Sequence, residues 1–85
     1  MRRLNLRNID LNLLPVLHAL LEEECVTLAS KRVHLSQSAT SAALNRLRKT
    51  FGDPILVRDG QRMKATPKAM QLRDSVRVVL DDLST

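Results

Sequence analysis

Residues 36–49, SQSATSAALNRLRK, place two kinds of hydrogen-bonding side chain in one stretch. The first half carries hydroxyl and amide groups on short stems, and the second half carries guanidinium and ammonium groups. Ordinary exposed helices use glutamate and lysine throughout, because long charged side chains favour the helix and keep its face in water. Short polar side chains instead let another molecule come close to the backbone. The stretch therefore indicates a contact surface.

On a helical wheel this stretch has one apolar and one polar face. The apolar face is predicted to hold Thr40, Ala43, Leu44, Leu47 and Phe51. A helix that enters a DNA major groove by its first turns needs such a polar face, since short side chains approach base edges and Gln or Asn can pair with adenine. Cations in later turns can bind phosphates without reading sequence. The polar face is predicted to hold Gln37, Ser38, Ser41, Ala42, Asn45, Arg48 and Lys49.

The other reactive side chains form no catalytic or metal-binding constellation. Cys25 is the single cysteine, which excludes an internal disulfide and fits a reducing compartment. His18 and His34 are too isolated to bind a metal together. The carboxylates at 22–24 have no partner histidine or nucleophile nearby in the sequence. We expect no enzyme activity, and neither a metal nor a cofactor in this segment.

The charge distribution favours a polyanionic partner. The chain has 85 residues, a formal net charge of +5 and a pI of about 10.4. Residues 25–68 hold nine Lys or Arg against two Asp, which gives this segment +7. No apolar run approaches the roughly 20 residues of a membrane span. The basic amino end leads into polar residues, so we expect no signal peptide, no membrane contact and a cytoplasmic protein.

The first predicted helix covers residues 12–23. With Asn12 as its N-cap, Pro15 falls in the first turn, where its missing N–H costs little. A loose turn at Asp10 is expected to precede it.

A helix-turn-helix is predicted next. Thr27 is expected to cap a short helix that ends at Val33, and Ser36 to cap a third helix over 37–51. Gly52 is well placed to end the third helix with positive φ. The short helix is expected to turn Leu28, Ala29 and Val33 inward.

Two β-compatible runs around Asp59-Gly60 predict a small hairpin over residues 55–66. Its cations surround a tight turn, as expected of a wing that touches an adjacent groove or phosphate. These cations are Arg58, Arg62 and Lys64.

A long fourth helix is predicted to begin with Thr66 followed by Pro67 at the first helical position. Its apolar residues recur at spacings of 3 and 4, which is typical of a coiled-coil seam. We expect this seam to pair two copies, although the same stripe could instead pack on its own domain. The seam is Ala69, Leu72, Val76, Val79 and Leu83.

The order of these parts resembles the N-terminal domain of LysR-type bacterial transcription regulators over residues 10–72. The matching stretches are DLNLL at 10–14, VTLASKRVHLSQSATSAALNRLRKTFGDPILVR at 26–58 and ATPKA at 65–69. The SQ-x-A-x-S core followed by FGDP-x-L-x-R is the most specific of them. The stretches DLNLL and RLR are most similar to the branch that contains nodulation, nitroaromatic-degradation and LeuO-like regulators.

The resemblance implies a mainly α fold, with a winged helix-turn-helix at 1–66 and a linker or dimerisation helix at 67–85. It implies sequence-specific binding of double-stranded DNA at an interrupted palindromic operator, as a homodimer that pairs into tetramers in the full-length protein. The family's effector-binding domain, which would bind a small-molecule inducer, is absent from this chain. Base reading is assigned to Gln37, Ser38, Ser41, Ala42 and Asn45, and backbone or wing contacts to Ser36, Arg46, Arg48, Lys49, Arg58, Arg62, Lys64 and Thr66.

Ser38 stands where the family usually has a proline, which leaves the operator sequence open. Two other functions compete with DNA binding. One is a protein–protein module centred on the fourth helix. The other is an RNA-binding winged helix, although sequence-specific RNA readers usually stack bases on aromatic side chains, and Phe51 is the single aromatic residue here.

Overall fold

The computed structural model describes residues 11–84 and shows a mainly helical domain with a two-stranded hairpin. A 3₁₀ turn precedes the first helix. In chain order the elements are this turn at Leu11–Leu13, α1 at Leu14–Glu23, α2 at Val26–Val33, α3 at Gln37–Phe51, β1 at Leu56–Asp59, β2 at Arg62–Ala65 and α4 at Pro67–Ser84. The predicted winged helix-turn-helix with a long last helix is confirmed.

The N-cap of the first helix lies one residue later than predicted, and the helix itself begins at Leu14. Its N-cap is Leu13, with a helical backbone and no side-chain cap, so the prediction of Asn12 as cap is wrong. The 3₁₀ turn leads directly into α1, so no extended capping residue intervenes. Pro15 lies in the first turn, as expected. The turn expected at Asp10 lies outside the described residues.

The second helix is capped by Cys25, not by Thr27 as predicted. Cys25 is extended, and its Sγ accepts a hydrogen bond from the backbone N–H of Leu28 at 3.5 Å. The shift arises because Glu24 adopts a left-handed conformation (φ 50°) that ends α1 and turns the chain. Thr27 therefore lies inside α2, where its hydroxyl is free to serve another purpose.

The third helix has the predicted bounds. The Ser36 hydroxyl accepts a hydrogen bond from the Ala39 N–H at 3.0 Å, which is the expected N-cap. Gly52 ends the helix with φ 58°, a conformation that glycine adopts without a steric penalty. Both ends of α3 are thus determined by local signals.

The hairpin turn lies one residue further along than predicted. The strands are antiparallel, with Leu56 opposite Ala65 and Asp59 opposite Arg62. Asp59 therefore belongs to β1, and the turn residues are Gly60 and Gln61. Gly60 takes φ 65°, as two-residue hairpin turns require.

The core is aliphatic and is centred on α1, which packs against the other three helices. Of the three residues of α2 predicted to face inward, Ala29 is buried, Val33 is half-buried, and Leu28 is 48% exposed. No helix within residues 11–84 is both long and apolar enough to cross a lipid bilayer. The largest fully buried aliphatic side chains are Leu14, Leu17, Leu20, Leu21, Leu47, Ile55, Leu56 and Val76.

The seam predicted to pair two copies lies largely in the chain's own core. Ala69 and Val76 are both 0% exposed and belong to the core cluster, so their assignment to a dimer interface is wrong. The physical reason is that α4 packs along α1 and covers one side of the aliphatic core. Leu72 and Val79 are half-buried, while Leu83 is 64% exposed. The stripe reaches solvent at its end because α4 has 18 residues and α1 has 10.

Candidate nucleic-acid interface

The first turns of α3 present a polar surface to solvent. All five predicted base-reading residues are exposed, and Thr40, Ala43, Leu44 and Leu47 on the opposite side are buried. The predicted two-faced helix is therefore confirmed, with Phe51 half-buried at its end. The exposed residues are Gln37, Ser38, Ser41, Ala42 and Asn45.

The start of α3 is held by its own hydroxyl groups. Ser36 caps the helix, and its Oγ lies 3.3 Å from Oγ of Ser38. Side chains this short leave the first turn open to a large partner. The backbone N–H groups of a helix start favour an anion such as phosphate.

Gln37 is bound to the preceding helix. Its Nε2 donates a hydrogen bond to Oγ1 of Thr27 at 2.8 Å. This contact connects the first residue of α3 with the first turn of α2. Sequence reasoning missed it because the hydroxyl of Thr27 had been assigned to capping.

Arg48 braces the domain, and this differs from its predicted role as a phosphate contact. Its guanidinium donates to the carbonyl oxygens of Pro54 at 2.8 Å and Leu56 at 3.2 Å, and to Oδ1 of Asn45 at 3.0 Å. The side chain is half-buried and joins α3 to the segment that enters the wing. We therefore expect Arg48 to contribute to the stability of the domain and not to DNA backbone binding.

Thr66 is likewise occupied inside the protein. It is 8% exposed, donates through Oγ1 to Oδ2 of Asp53 at 2.6 Å, and accepts from the N–H of Ala69 at 3.1 Å. It is therefore the N-cap of α4, and its prediction as a phosphate contact is wrong. The hydroxyl is buried because it closes the base of the wing.

Asp53 organises that base. Its Oδ2 also accepts from the N–H of Ile55 at 2.8 Å. Ile55 is fully buried and takes φ 67°, which is rare for a β-branched residue. The carboxylate thus holds a strained residue at the point where the chain enters β1.

The wing carries exposed cations, as predicted. Arg58, Arg62 and Lys64 are all exposed on the hairpin. Arg58 pairs with half-buried Met63 across the strands. Lys49 is exposed on α3.

A groove of about 660 Å³ separates the wing from the helix-turn-helix. Side chains of α2 and α3 line it together with side chains of the wing, so the predicted base-reading face and the wing cations meet at one cleft. Its lining includes Thr27, Leu28, Gln37 and Ser41 from the helices, Arg58, Gln61, Arg62 and Met63 from the wing, and residues 23–26 between α1 and α2.

The two carboxylates that line the groove are bound to protein donors. Oε2 of Glu24 accepts from the N–H of Ala65 at 2.7 Å, which ties the end of α1 to β2. Oε2 of Glu23 accepts from Nη1 of Arg32 at 3.1 Å. The charge of Arg32 offsets part of the charge of Glu23 toward an incoming anion, whereas the partner of Glu24 is a neutral N–H.

The remaining reactive side chains are dispersed. Within residues 11–84, no group of three or more His, Cys, Asp or Glu side chains is arranged to hold a metal ion. Cys25 is a half-buried free thiol. His18 Nε2 is buried without a hydrogen-bond partner, 3.9 Å from a carboxylate oxygen of Glu22. His34 adopts φ 59° and ends α2.

A polar first turn on α3, a helix-turn-helix that supports it and a cationic wing define a winged helix-turn-helix of the DNA-binding class. Residues 11–70 match the family described as bacterial regulatory helix-turn-helix protein, lysR family. The chain belongs to the lysR family of bacterial regulatory helix-turn-helix proteins.

Relatives and solved structures agree with this assignment. The chain is 46% identical over 74 residues to nodulation protein D 1 of Rhizobium meliloti, which agrees with the nodulation branch. It covers 87% of its own length in that match and 24% of the relative's length. It therefore spans about a quarter of the curated relative.

Two solved structures share the fold. A probable transcriptional regulator from Pseudomonas aeruginosa is 40% identical, with a TM-score of 0.88 over 93% of this chain and 26% of that one. The DNA-binding domain of BenM, solved in complex with benA site 1 DNA, is 22% identical, with a TM-score of 0.80 over 89% of this chain and 85% of that one. The second likeness concerns the fold alone.

Proposed function

We propose that the amino-terminal half of α3 enters the major groove of an operator and reads bases through its short polar face, while the wing binds the adjacent backbone. The observation that supports this most strongly is the groove shared by α3 and the wing. It brings Gln37 and Ser41 on one side together with Arg58 and Arg62 on the other. Winged domains bind duplexes with one helix in the major groove of the DNA and with cations on the adjacent DNA backbone.

Four of the exposed cations on the wing and α3 are proposed to bind the DNA backbone. Each cation that neutralises a phosphate releases counterions. A plot of the logarithm of the binding constant against the logarithm of the salt concentration therefore has a slope of about −0.9 per phosphate contact. Four contacts predict a slope of about −3 to −4 for one copy. The cations are Lys49, Arg58, Arg62 and Lys64, and Arg46 is exposed on the same helix.

Two copies are proposed to bind together through the last turns of α4. Ala69 and Val76 close the chain's own core, but the same stripe continues to Leu83, which is 64% exposed. Val79 lies between Val76 and Leu83 on this stripe and is half-buried. An apolar stripe that outruns its own domain suits a second copy of the same helix. Such a pair would hold two half-sites of an interrupted palindrome, and two pairs would form a tetramer in a longer protein.

A longer protein would also supply the effector-binding domain. We propose that a small-molecule inducer binds there and that the described segment itself needs no cofactor. The length of the nodulation relative supports this, because the match covers 24% of it.

The proposal is tested by selecting duplexes from a randomised pool with the 85-residue chain. Affinity is then measured for a selected duplex, a scrambled duplex and RNA of the selected sequence over a range of salt. We expect the selected duplex to bind at least tenfold more tightly than the scrambled one, since each lost base contact costs about 1–3 kcal/mol. A salt slope near zero, or RNA binding equal to that of the selected duplex, would contradict the proposal.

The pairing through α4 has its own test. Leu83→Asp should leave the melting temperature and half-site binding unchanged and weaken binding to the full palindrome, because Leu83 is 64% exposed in a single copy. Gln71→Asp, also exposed on α4, is the matched control. Wild-type binding of the full palindrome by Leu83→Asp would place the interface elsewhere.

A further inference from the structure

One base-reading side chain is held by a residue that was not predicted to take part in recognition. Gln37 is the first residue of α3, and its Nε2 donates to Oγ1 of Thr27 at 2.8 Å. Both residues are exposed, and both line the groove between the helices and the wing. The bond crosses from α2 to α3, so it links a reading residue to the supporting helix.

The bond determines which groups the carboxamide still offers. A glutamine amide has two N–H donors and one carbonyl oxygen that accepts. Thr27 takes one N–H, which leaves the other N–H and Oε1 of this exposed side chain for another partner. This neighbouring donor and acceptor match N7 and the N6 amino group of adenine in the major groove.

The bond also restricts rotation. A free exposed glutamine samples many rotamers, and fixing such a side chain at an interface costs binding free energy. When Thr27 holds the amide before DNA arrives, part of that cost has already been met in the folded protein. A side chain held in one orientation also discriminates more strongly between bases than a side chain that can turn over.

We propose that Thr27 is a positioning residue for base recognition, acting through Gln37. This inference rests on the proposed function. It assigns to Thr27 no contact with DNA of its own. It also predicts that adenine is the base preferred at the half-site position that Gln37 reads.

A phosphate contact by Thr27 is the rival role, since its hydroxyl lies in the first turn of α2. The two roles differ in what they change. A phosphate contact strengthens binding to every duplex alike. A positioning residue changes the preference for one base and has no effect when the side chain that it positions is missing.

The experiment compares five versions of the 85-residue chain: wild type, Thr27→Val, Thr27→Ser, Gln37→Ala and the Thr27→Val/Gln37→Ala double variant. Valine keeps the branched shape of threonine and removes the hydroxyl, whereas serine keeps the hydroxyl. Each version selects duplexes from the same randomised pool. Its affinity is then measured for the wild-type selected duplex, for single-base variants of that duplex and for a scrambled duplex. Thermal melting checks that each variant is folded.

We expect Gln37→Ala to lose the adenine preference at one position. Thr27→Val should reduce that preference about two- to tenfold, the effect of losing the prior ordering of one long side chain. Thr27→Ser should retain it. In the Gln37→Ala background, Thr27→Val should change nothing, which is the signature of a residue that acts through another. Binding to the scrambled duplex should be the same for wild type and Thr27→Val.

Three results would overturn the inference. The first is an adenine preference that is lost in Gln37→Ala and fully kept in Thr27→Val, and this result leaves the proposed function intact. The second is an equal loss by Thr27→Val on selected and scrambled duplexes that persists without Gln37, which would make Thr27 a phosphate contact. The third is a wild-type chain that selects no sequence, which overturns the proposed function together with the inference.

Discussion

Replacing Arg48 with methionine should destabilise the free domain and should leave the number of contacts between the domain and the DNA backbone unchanged. Methionine keeps most of the apolar stem of this half-buried side chain and removes the charge and the donors. The guanidinium bonds to Pro54, Leu56 and Asn45 are lost together. Two backbone carbonyls at the entrance to the wing then lose their donor.

The size of the effect follows from those three bonds. A hydrogen bond contributes about 0.5–1.5 kcal/mol net, and two of these three are open to water, so we expect a loss of about 2 kcal/mol. In a domain of this size, 1 kcal/mol corresponds to about 4–8 °C in melting temperature. The Arg48→Met domain should therefore melt about 8–16 °C below wild type.

The assay is thermal unfolding followed by circular dichroism, together with the salt slope for a random duplex. Lys49→Met is the matched control, because Lys49 is the exposed neighbour of Arg48 on α3. Lys49→Met should melt within about 3 °C of wild type and lose about one unit of salt slope, as expected for one phosphate contact. An Arg48→Met domain that melts like wild type and loses a unit of slope would show that Arg48 binds DNA and not the wing.

Three further changes test other parts of the fold. Val76→Asp should abolish cooperative melting, because it buries an unpaired carboxylate at a position that is 0% exposed. Val78→Asp, at a position that is 56% exposed, should melt like wild type. Equal melting of the two variants would show that Val76 is not part of the core. Asp53→Ala should cost about 2 kcal/mol in urea unfolding, since it removes two hydrogen bonds at the base of the wing, and unchanged stability would show that the strained entrance needs no carboxylate. Gly52→Ala should cost about 1 kcal/mol through its φ of 58° alone, because an added Cβ meets nothing within 4 Å, and Gly52→Asn should cost less; an alanine variant as stable as wild type would contradict this.

The parts of the fold that local chemistry determines could be predicted from the sequence. The bounds of α3 follow from a serine that caps its first turn and a glycine that ends it, and the start of α4 follows from Thr66-Pro67. The cap of α2 was missed because cysteine is a rare N-cap and Thr27 is a better one by type. The cap moved to Cys25 because Glu24 adopts a left-handed conformation. A glutamate at this position does not predict that conformation.

The sequence predicts which side chains of the candidate site share one exposed face of α3. It does not predict the hydrogen bonds that connect those side chains to other elements. Helical periodicity shows which side chains share an exposed surface, and the exposed positions on α3 agree with it. Periodicity cannot show which of those side chains other elements hold. The roles of Arg48 and Thr66 come from contacts with segments six or more residues away.

The stripe on α4 shows the same limit. Spacings of three and four residues establish that one face of the helix is apolar. They do not identify the surface that covers this face, and here α1 of the same chain covers Ala69 and Val76.

The most direct test of the proposed recognition surface is a titration of the ¹⁵N-labelled chain with a selected duplex, followed by amide chemical shifts. The largest shifts are predicted at the start of α3, over residues 37–42, and at the wing turn, over residues 58–62. A scrambled duplex at the same salt should shift the wing amides and leave the first turn of α3 nearly unchanged, since phosphates are common to both duplexes and bases are not. Shifts confined to the last turns of α4, or identical shifts of the α3 amides with both duplexes, would contradict base reading by α3.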